Sequence, residues 1–168
     1  SLSGAQIPST NGTYMPIARG RVTSDYGSRS GEYHTGIDFS NGQYNDNVYP
    51  IAAGLVLLVQ SPGTYTSGGR NCGNYIVYVQ HNINGHPYIT SYWHLASPAV
   101  SRGTAVTANT VIGYMGGYNS VDACSFGVHV HLNLFDGNTW NIKYPNSGRI
   151  NPRTIMPQIP AKGVYFTR

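Results

Sequence analysis

Residues 127–135 read GVHVHLNLF, and this stretch decides the fold. Val128, Val130 and Leu132 alternate there with His129 and His131. A period of two belongs to a β-strand, whose successive side chains leave opposite faces, so one face is apolar and the other carries both imidazoles. Outward from it, period-two segments recur at 21–26, 35–39, 48–51, 54–60, 75–81, 88–94, 105–107 and 111–114. Their separators are rich in Gly, Asn, Ser and Pro, and no stretch longer than about ten residues keeps the 3.6-residue spacing of an amphipathic helix. The pattern predicts an all-β fold. Two separators, 61–73 and 116–126, are long, and long loops on a rigid sheet are where a binding groove is usually built. After Pro145 the chain is Pro-rich and irregular, with Pro152, Pro157 and Pro160.

Composition narrows the function classes. A chain of 168 residues fits one domain, 1–168. Charged residues are only 10%, while there are 21 glycines and 14 tyrosines, which excludes a coiled coil, a helical bundle or a disordered charged tail. The longest apolar runs, such as 49–59, fall far short of the roughly 20 residues that span a bilayer, so no membrane helix is expected. Ten Lys and Arg against six Asp and Glu give +4, but the basic residues are scattered and form no stripe suited to nucleic acid. A mild positive charge favours lingering near an anionic polymer such as a bacterial wall. The chain begins at Ser1 without a basic-then-apolar leader and reads as a mature or excised piece. Cys72 and Cys124 are too few for a cysteine zinc site and are not spaced as a redox pair. Paired, they would close a long loop and stabilise by about 4 kcal/mol, so a disulfide is favoured over two free thiols, and an extracytoplasmic setting with it.

Six histidines and six acidic residues leave a short list of chemical groups. The sequence has no HExxH helix, no Gly-x-Ser-x-Gly elbow and no Walker-type glycine loop. His129 and His131, on one strand face, can approach one point in space. In EYHTGIDFS (32–40), Gly36, Ile37 and Phe39 argue against a helix. On a straight strand His34 and Asp38 would stand roughly 13 Å apart at 3.3 Å per residue, awkward for one ion; a kink or bulge at Gly36 could bring them together, while this segment alone reads as an exposed His and a turn-forming Asp. His94 ends the alternating run Tyr88, Thr90, Tyr92, His94 and is expected on the same face as those residues. Together the three segments can supply two His ligands and one Asp, with a fourth tetrahedral position for water, as in catalytic rather than structural zinc sites. His81 and His86 read as turn or strand-end residues outside such a site. The tyrosines, with Trp93 and Trp140, are expected to line a groove for a flexible Gly- or Ala-rich peptide.

Several ordered motifs resemble the lysostaphin-type zinc endopeptidases, which cut peptidoglycan cross-links. VTSDYGSR is similar to that family's opening strand and turn, HTGID to its first metal motif, and VYPIAAGLVLLV to the hairpin that follows. NYIVYVQHNINGHPYITSYWHLA resembles its central strand pair, VIGYMG the next short strand, and GVHVHLNL its closing His-x-His strand. The match covers about 21–135, leaving 136–168 as an irregular C-terminal tail. The resemblance implies an antiparallel β-sheet core with a loop-walled groove. It further implies one Zn²⁺ bound by His34, Asp38 and His131, with His94 and His129 as the catalytic histidines beside it. Three features depart from the family: Asn133 where an acidic residue is frequent, Asp122 and Cys124 in the loop before the motif, and Trp93 after Tyr92.

Zinc activates water and polarises a carbonyl, but a proton must still move. Glu32 is the only glutamate and no helix aims it, so a histidine is the expected base, with a pKa of about 6.5 suited to neutral pH. Tyr26 and Tyr92 are weaker oxyanion or substrate-binding candidates. The expected function is a zinc-dependent endopeptidase acting as a monomer on peptidoglycan peptides, extracellular or cell-wall-directed, secreted or phage-associated, without nucleic-acid or membrane partners. The alternative is a non-catalytic wall-binding or scaffold module on the same fold. A β-barrel serine protease is disfavoured, because no Ser sits in a recognisable nucleophile loop.

Overall fold

A computed structural model describes residues 7–117, 124, 125 and 127–168. Asp122 and most of the 116–126 loop lie outside the described residues. In chain order the strands are β1 (Ser9–Thr10), β2 (Arg19–Ser24), β3 (Gly27–Arg29), β4 (Glu32–His34), β5 (Ile37–Ser40), β6 (Asn47–Val48), β7 (Gly54–Gln60) and β8 (Tyr65–Ser67). There follow β9 (Arg70–Cys72), β10 (Tyr75–Ile83), β11 (His86–Pro98), β12 (Ala105–Val106), β13 (Gly113–Met115), β14 (Val130–Asp136), β15 (Arg149–Ile150) and β16 (Phe166–Thr167). A 3-10 turn at Pro152–Thr154 is the helical element described. Among the described residues no helix is long and apolar enough to cross a membrane.

The main sheet runs β12-β7-β10-β11-β14-β5-β2-β16, and these neighbours pair antiparallel. Hairpins β3–β4 and β8–β9 stand outside it. The central strands bury both faces. Val56, Val77, Val79, Tyr92, Val130 and Leu132 enter the larger core, while Leu57, Ile76, Tyr78, Ile89, Trp93 and Phe135 form a smaller cluster on the other side. The alternation in 127–135 holds: Val130 and Leu132 face the larger core and Leu134 is buried, while His131, Asn133 and Phe135 pair across β11 with Trp93, Ser91 and Ile89. Along that second face the side chains grade from apolar (Ile89, Phe135) through polar (Ser91, Asn133) to the histidine end.

Two expectations about the backbone around His34 and His94 require correction. The segment 35–39 is not one strand: β4 ends at His34 and β5 starts at Ile37, with Gly36 in the break. His94 does not share a face with Tyr92. Tyr75 faces Leu95 while Val77 faces Tyr92, so β11 carries an extra residue in a bulge. His94 sits in that bulge with φ 66°. Tyr92 and Leu95 therefore both return to the core, while Trp93 and His94 leave it on the side of His131.

The segment after residue 136 is irregular in backbone but woven into the domain. β15 pairs with β14, β16 pairs with β2, and Met156, Ile159 and Phe166 are buried in the larger core. Single apolar residues without periodicity can be buried as well as patterned ones, and no strand signal announces them.

His81, expected at a strand end, lies within β10 and is completely buried. Its Nδ1–H donates to the Ala53 carbonyl (2.9 Å), and its Nε2 meets the Thr90 hydroxyl (2.7 Å). Burial lowers its pKa to about 4. The unfolded chain takes up this proton below about pH 6.5, whereas the folded protein refuses it until about pH 4, so stability present above pH 6.5 is lost as pH falls through that window. The full effect is on the order of 3 kcal/mol. Thermal melts of metal-free protein between pH 7 and 4.5 should show a fall in Tm that is clearly shallower in His81→Gln; parallel curves for the two proteins would refute this.

Candidate metal centre

Asp38, His131 and Trp93 stand side by side on β5, β14 and β11, because Asp38 pairs with His131 and His131 with Trp93. His34 arrives from the β3–β4 hairpin, and the break at Gly36 returns the chain to the sheet in time for Asp38. Gly36 also makes room for the ligand ring: a Cβ there would lie 2.6 Å from both His131 Cε1 and the Leu132 carbonyl oxygen. The glycine is needed for close approach rather than for turning.

The three side chains converge. His34 Nε2 is 3.1 Å from His131 Nδ1, His131 Nδ1 is 2.8 Å from Asp38 Oδ1, and His34 Nε2 is 3.4 Å from Asp38 Oδ1. It is the one metal-capable cluster of its kind among the described residues, and all three members are buried. A tetrahedral ion with bonds of 2.0–2.1 Å spaces its ligands by about 3.3 Å, so the triangle matches one face of such a tetrahedron. Three donors leave the fourth apex to a non-protein ligand.

The outer nitrogens establish which atoms carry lone pairs. His34 Nδ1–H donates to the Asp25 carbonyl (2.9 Å), and His131 Nε2–H donates to Asn133 Oδ1 (2.7 Å). Each ring is thereby held in the tautomer that turns an unprotonated nitrogen to the cluster, the usual support of metal-binding histidine. Burial lowers His131 to a pKa of about 4, against the pull of Asp38, so the ring is neutral at pH 7, as a ligand must be. Burial alone would raise Asp38, but the neighbouring imidazoles of His131, His34 and His129 outweigh it and hold the carboxyl well below its usual range. The donor set therefore fits a borderline divalent ion.

Further contacts hold these supports in place. Asn133 Nδ2 and Trp93 Nε1 both donate to Ser91 Oγ (3.1 Å each). Arg153 grips Asp25 with a two-point fork, Nε to Oδ1 at 3.1 Å and Nη2 to Oδ2 at 3.0 Å. Asn133, two residues beyond His131 on the same strand face, could have been read from the alternation. Asp25 acts through its backbone carbonyl and Arg153 from 128 residues away, and neither carries a sequence signal.

The two remaining histidines flank the cluster. The rings of His94 and His129 lie 4.6 Å apart, and His94 is 6.2 Å from the His131 ring. His129 Nδ1–H donates to the Gly127 carbonyl (2.8 Å), leaving Nε2 as the lone-pair nitrogen, 3.8 Å from Asp38 Oδ1. The tyrosine candidates sit elsewhere. Tyr92 is fully buried, with its hydroxyl accepting from the Ile51 N–H (2.9 Å) and Thr90 Oγ1 (2.8 Å), and burial raises its pKa. The Tyr26 hydroxyl donates to the Arg149 carbonyl (3.3 Å), and its pKa is raised by burial first and by Tyr33 second. Neither lines the groove. His81 and His86 lie outside the cluster, the latter 2.9 Å from Asp136.

An open groove of ≈ 730 Å³ passes over the cluster. Cys72 and Cys124 line it and are disulfide-bonded, with Cα atoms 5.1 Å apart, tying hairpin β8–β9 to the segment before His129. The expected tyrosine lining is not found: among the described lining residues Trp93 is the sole Phe, Tyr or Trp, and the conspicuous side chains are Arg29, Arg70 and Arg149. Trp140 packs on Tyr78 in the smaller core.

Comparison with known proteins agrees with this geometry. The sequence matches the model of Peptidase family M23 over residues 32–144. The chain belongs to peptidase family M23. That segment runs from β4 through the His-x-His strand and contains all five clustered side chains. Among solved structures, the M23 chain is similar to the catalytic domain, solved as a point mutant, of the prophage-encoded M23 protein EnpA from Enterococcus faecalis, with 27% identity and TM-score 0.59 over 89% of this chain and 96% of that one. It is also similar in fold to the catalytic domain of the antimicrobial peptidase lysostaphin from Staphylococcus simulans, with 22% identity and TM-score 0.58 over 85% and 92% of the two chains. A zinc-containing peptidase from Vibrio cholerae shares the fold at 20% identity and TM-score 0.58, over 82% of this chain and 37% of that one. No curated protein sequence matches significantly.

The support of His131 by Asn133 can be tested apart from catalysis. Asn133→Leu keeps the size and burial of the side chain but leaves His131 Nε2–H without its acceptor. Competition with a chromophoric chelator should show affinity for a divalent ion reduced by about 10- to 100-fold, with an unchanged circular-dichroism spectrum; undiminished affinity would show that the contact does not position the ligand.

Proposed function

We propose that this M23 peptidase is a zinc endopeptidase that hydrolyses amide bonds in the stem or cross-bridge peptides of bacterial peptidoglycan, acting outside the cytoplasm. The observation that carries the proposal is the triangle of His34 Nε2, His131 Nδ1 and Asp38 Oδ1, with two further imidazoles beside it. Two imidazoles and one carboxylate are a donor set suited to Zn²⁺, and the count leaves a position open for chemistry. The zinc-containing and antimicrobial peptidase neighbours of the same fold support the choice of ion and substrate.

When bound, the ion supplies Lewis acidity, activating water and polarising the scissile carbonyl. The protein's own residues do the rest. His34, Asp38 and His131 would hold the ion, the two imidazoles through nitrogens whose directions are set by the Asp25 carbonyl and by Asn133. His129 receives the proton of the attacking water at Nε2, since its Nδ1–H is committed to Gly127. His94, with its ring 4.6 Å from His129, faces the same space and steadies the developing oxyanion or returns a proton to the leaving amine. The groove holds the peptide extended across these groups.

Purified walls incubated with the zinc-loaded protein should release new amino termini. A chelator should abolish the release and added Zn²⁺ restore it. His129→Ala should lower kcat by about 10²- to 10⁴-fold with zinc content retained. Binding to walls without any release by the zinc-loaded wild type would instead support a scaffold module, and full activity of His129→Ala would remove that residue from the mechanism.

A further inference from the structure

The groove is lined by guanidinium groups, to which a neutral glycine- or alanine-rich peptide offers backbone carbonyl oxygens but no opposite charge. Arg29 comes from β3, Arg70 from β9 and Arg149 from β15, and all three line the space above the cluster. The acidic side chains lining it, among the described residues, are Glu32 and Asp38. Three cations therefore face two carboxylates, before the charge of an ion is added.

The three arginines are not equivalent. Arg29 is engaged by Glu32 (3.0 Å) and by Ser24. Arg149 is held in place: its guanidinium lies 4.9 Å from the Trp93 ring centroid, and it donates to Thr35 Oγ1 (2.9 Å) and the Asn146 carbonyl (3.0 Å). Arg70 differs from both. Among the described residues its guanidinium has neither a hydrogen-bond nor an ion-pair partner, yet the hairpin that presents it is anchored two residues on, where Cys72 is bonded to Cys124. A planar, permanently charged fork on an anchored backbone is a receptor for a carboxylate.

We infer that the peptide taken into this groove carries a free carboxylate close to its scissile bond, and that Arg70 receives it, with Arg149 adding a fixed positive charge. This specificity rests on the peptidase reading and narrows its substrate to anionic peptides over neutral bridges. The carboxylate can come from an acidic side chain or from a chain terminus. The two share one chemistry, so the test carries an arm for each.

Synthetic wall-stem peptides are prepared in matched pairs, one pair differing only in a side-chain carboxylate or carboxamide, the other in a terminal carboxylate or carboxamide. With the zinc-loaded full chain, the carboxylate member of at least one pair should be cleaved with about tenfold higher kcat/KM, and the preference should shrink as salt rises from about 0.05 to 0.5 M. Arg70→Glu should abolish or invert the preference, and Arg70→Lys should keep much of it. Equal rates within both pairs, or a wild-type preference that survives Arg70→Glu, would overturn the inference while leaving the peptidase reading intact. Failure to cleave any peptide or purified wall would instead strike that reading itself.

Discussion

The register of β14 between β5 and β11 places Asp38, His131 and Trp93 in one row across the sheet. Side chains alternate with a period of two, so a slip of one residue on either side would send a member of this row to the opposite face. Hydrophobic burial guards against the slip. Val130, Leu132 and Leu134 are buried in the gaps between His131, Asn133 and Phe135, and they could not exchange places with those residues without putting a histidine and an amide into the apolar interior. The order of the site is thus enforced from behind, by the core it does not touch.

Much of this is legible in 127–135. Alternation there gives the strand, its two faces and the shared face of His129 and His131. The distance argument for His34 and Asp38 also leads correctly to a break at Gly36, because a straight strand cannot bring side chains four residues apart to one ion. The face of His94 is not legible in that way. One extra residue in β11 and one left-handed backbone angle reverse the alternation, and histidine, unlike glycine, announces neither. Tyr92 reads as a same-face neighbour of His94 by alternation, but it lies before the bulge and pairs with Val77 and Leu132 in the core. His81 reads as a strand end because Asn and Gly follow it, but β10 runs through to Ile83 before the turn.

What holds the clustered side chains is spread over the chain in a manner that no local motif records. His34 leans on a backbone carbonyl at Asp25, and Asp25 is gripped by Arg153 from the irregular C-terminal segment. That segment reads as a tail, yet it supplies a clamp to the candidate metal centre, Arg149 to the groove and three side chains to the core. The two hairpins outside the main sheet are secured by different means. β3–β4 is tied through His34 and through Arg29, which reaches Ser24 and Asp38, and β8–β9 through a covalent link.

His94 occupies a left-handed backbone conformation with φ 66°, a region that costs a non-glycine residue of order 1–3 kcal/mol. Glycine at that position would relieve the cost and remove the ring that the twist presents. On the proposed mechanism, selection for thermal tolerance and selection for turnover pull in opposite directions at this single position, and stability screening alone would favour variants without the ring.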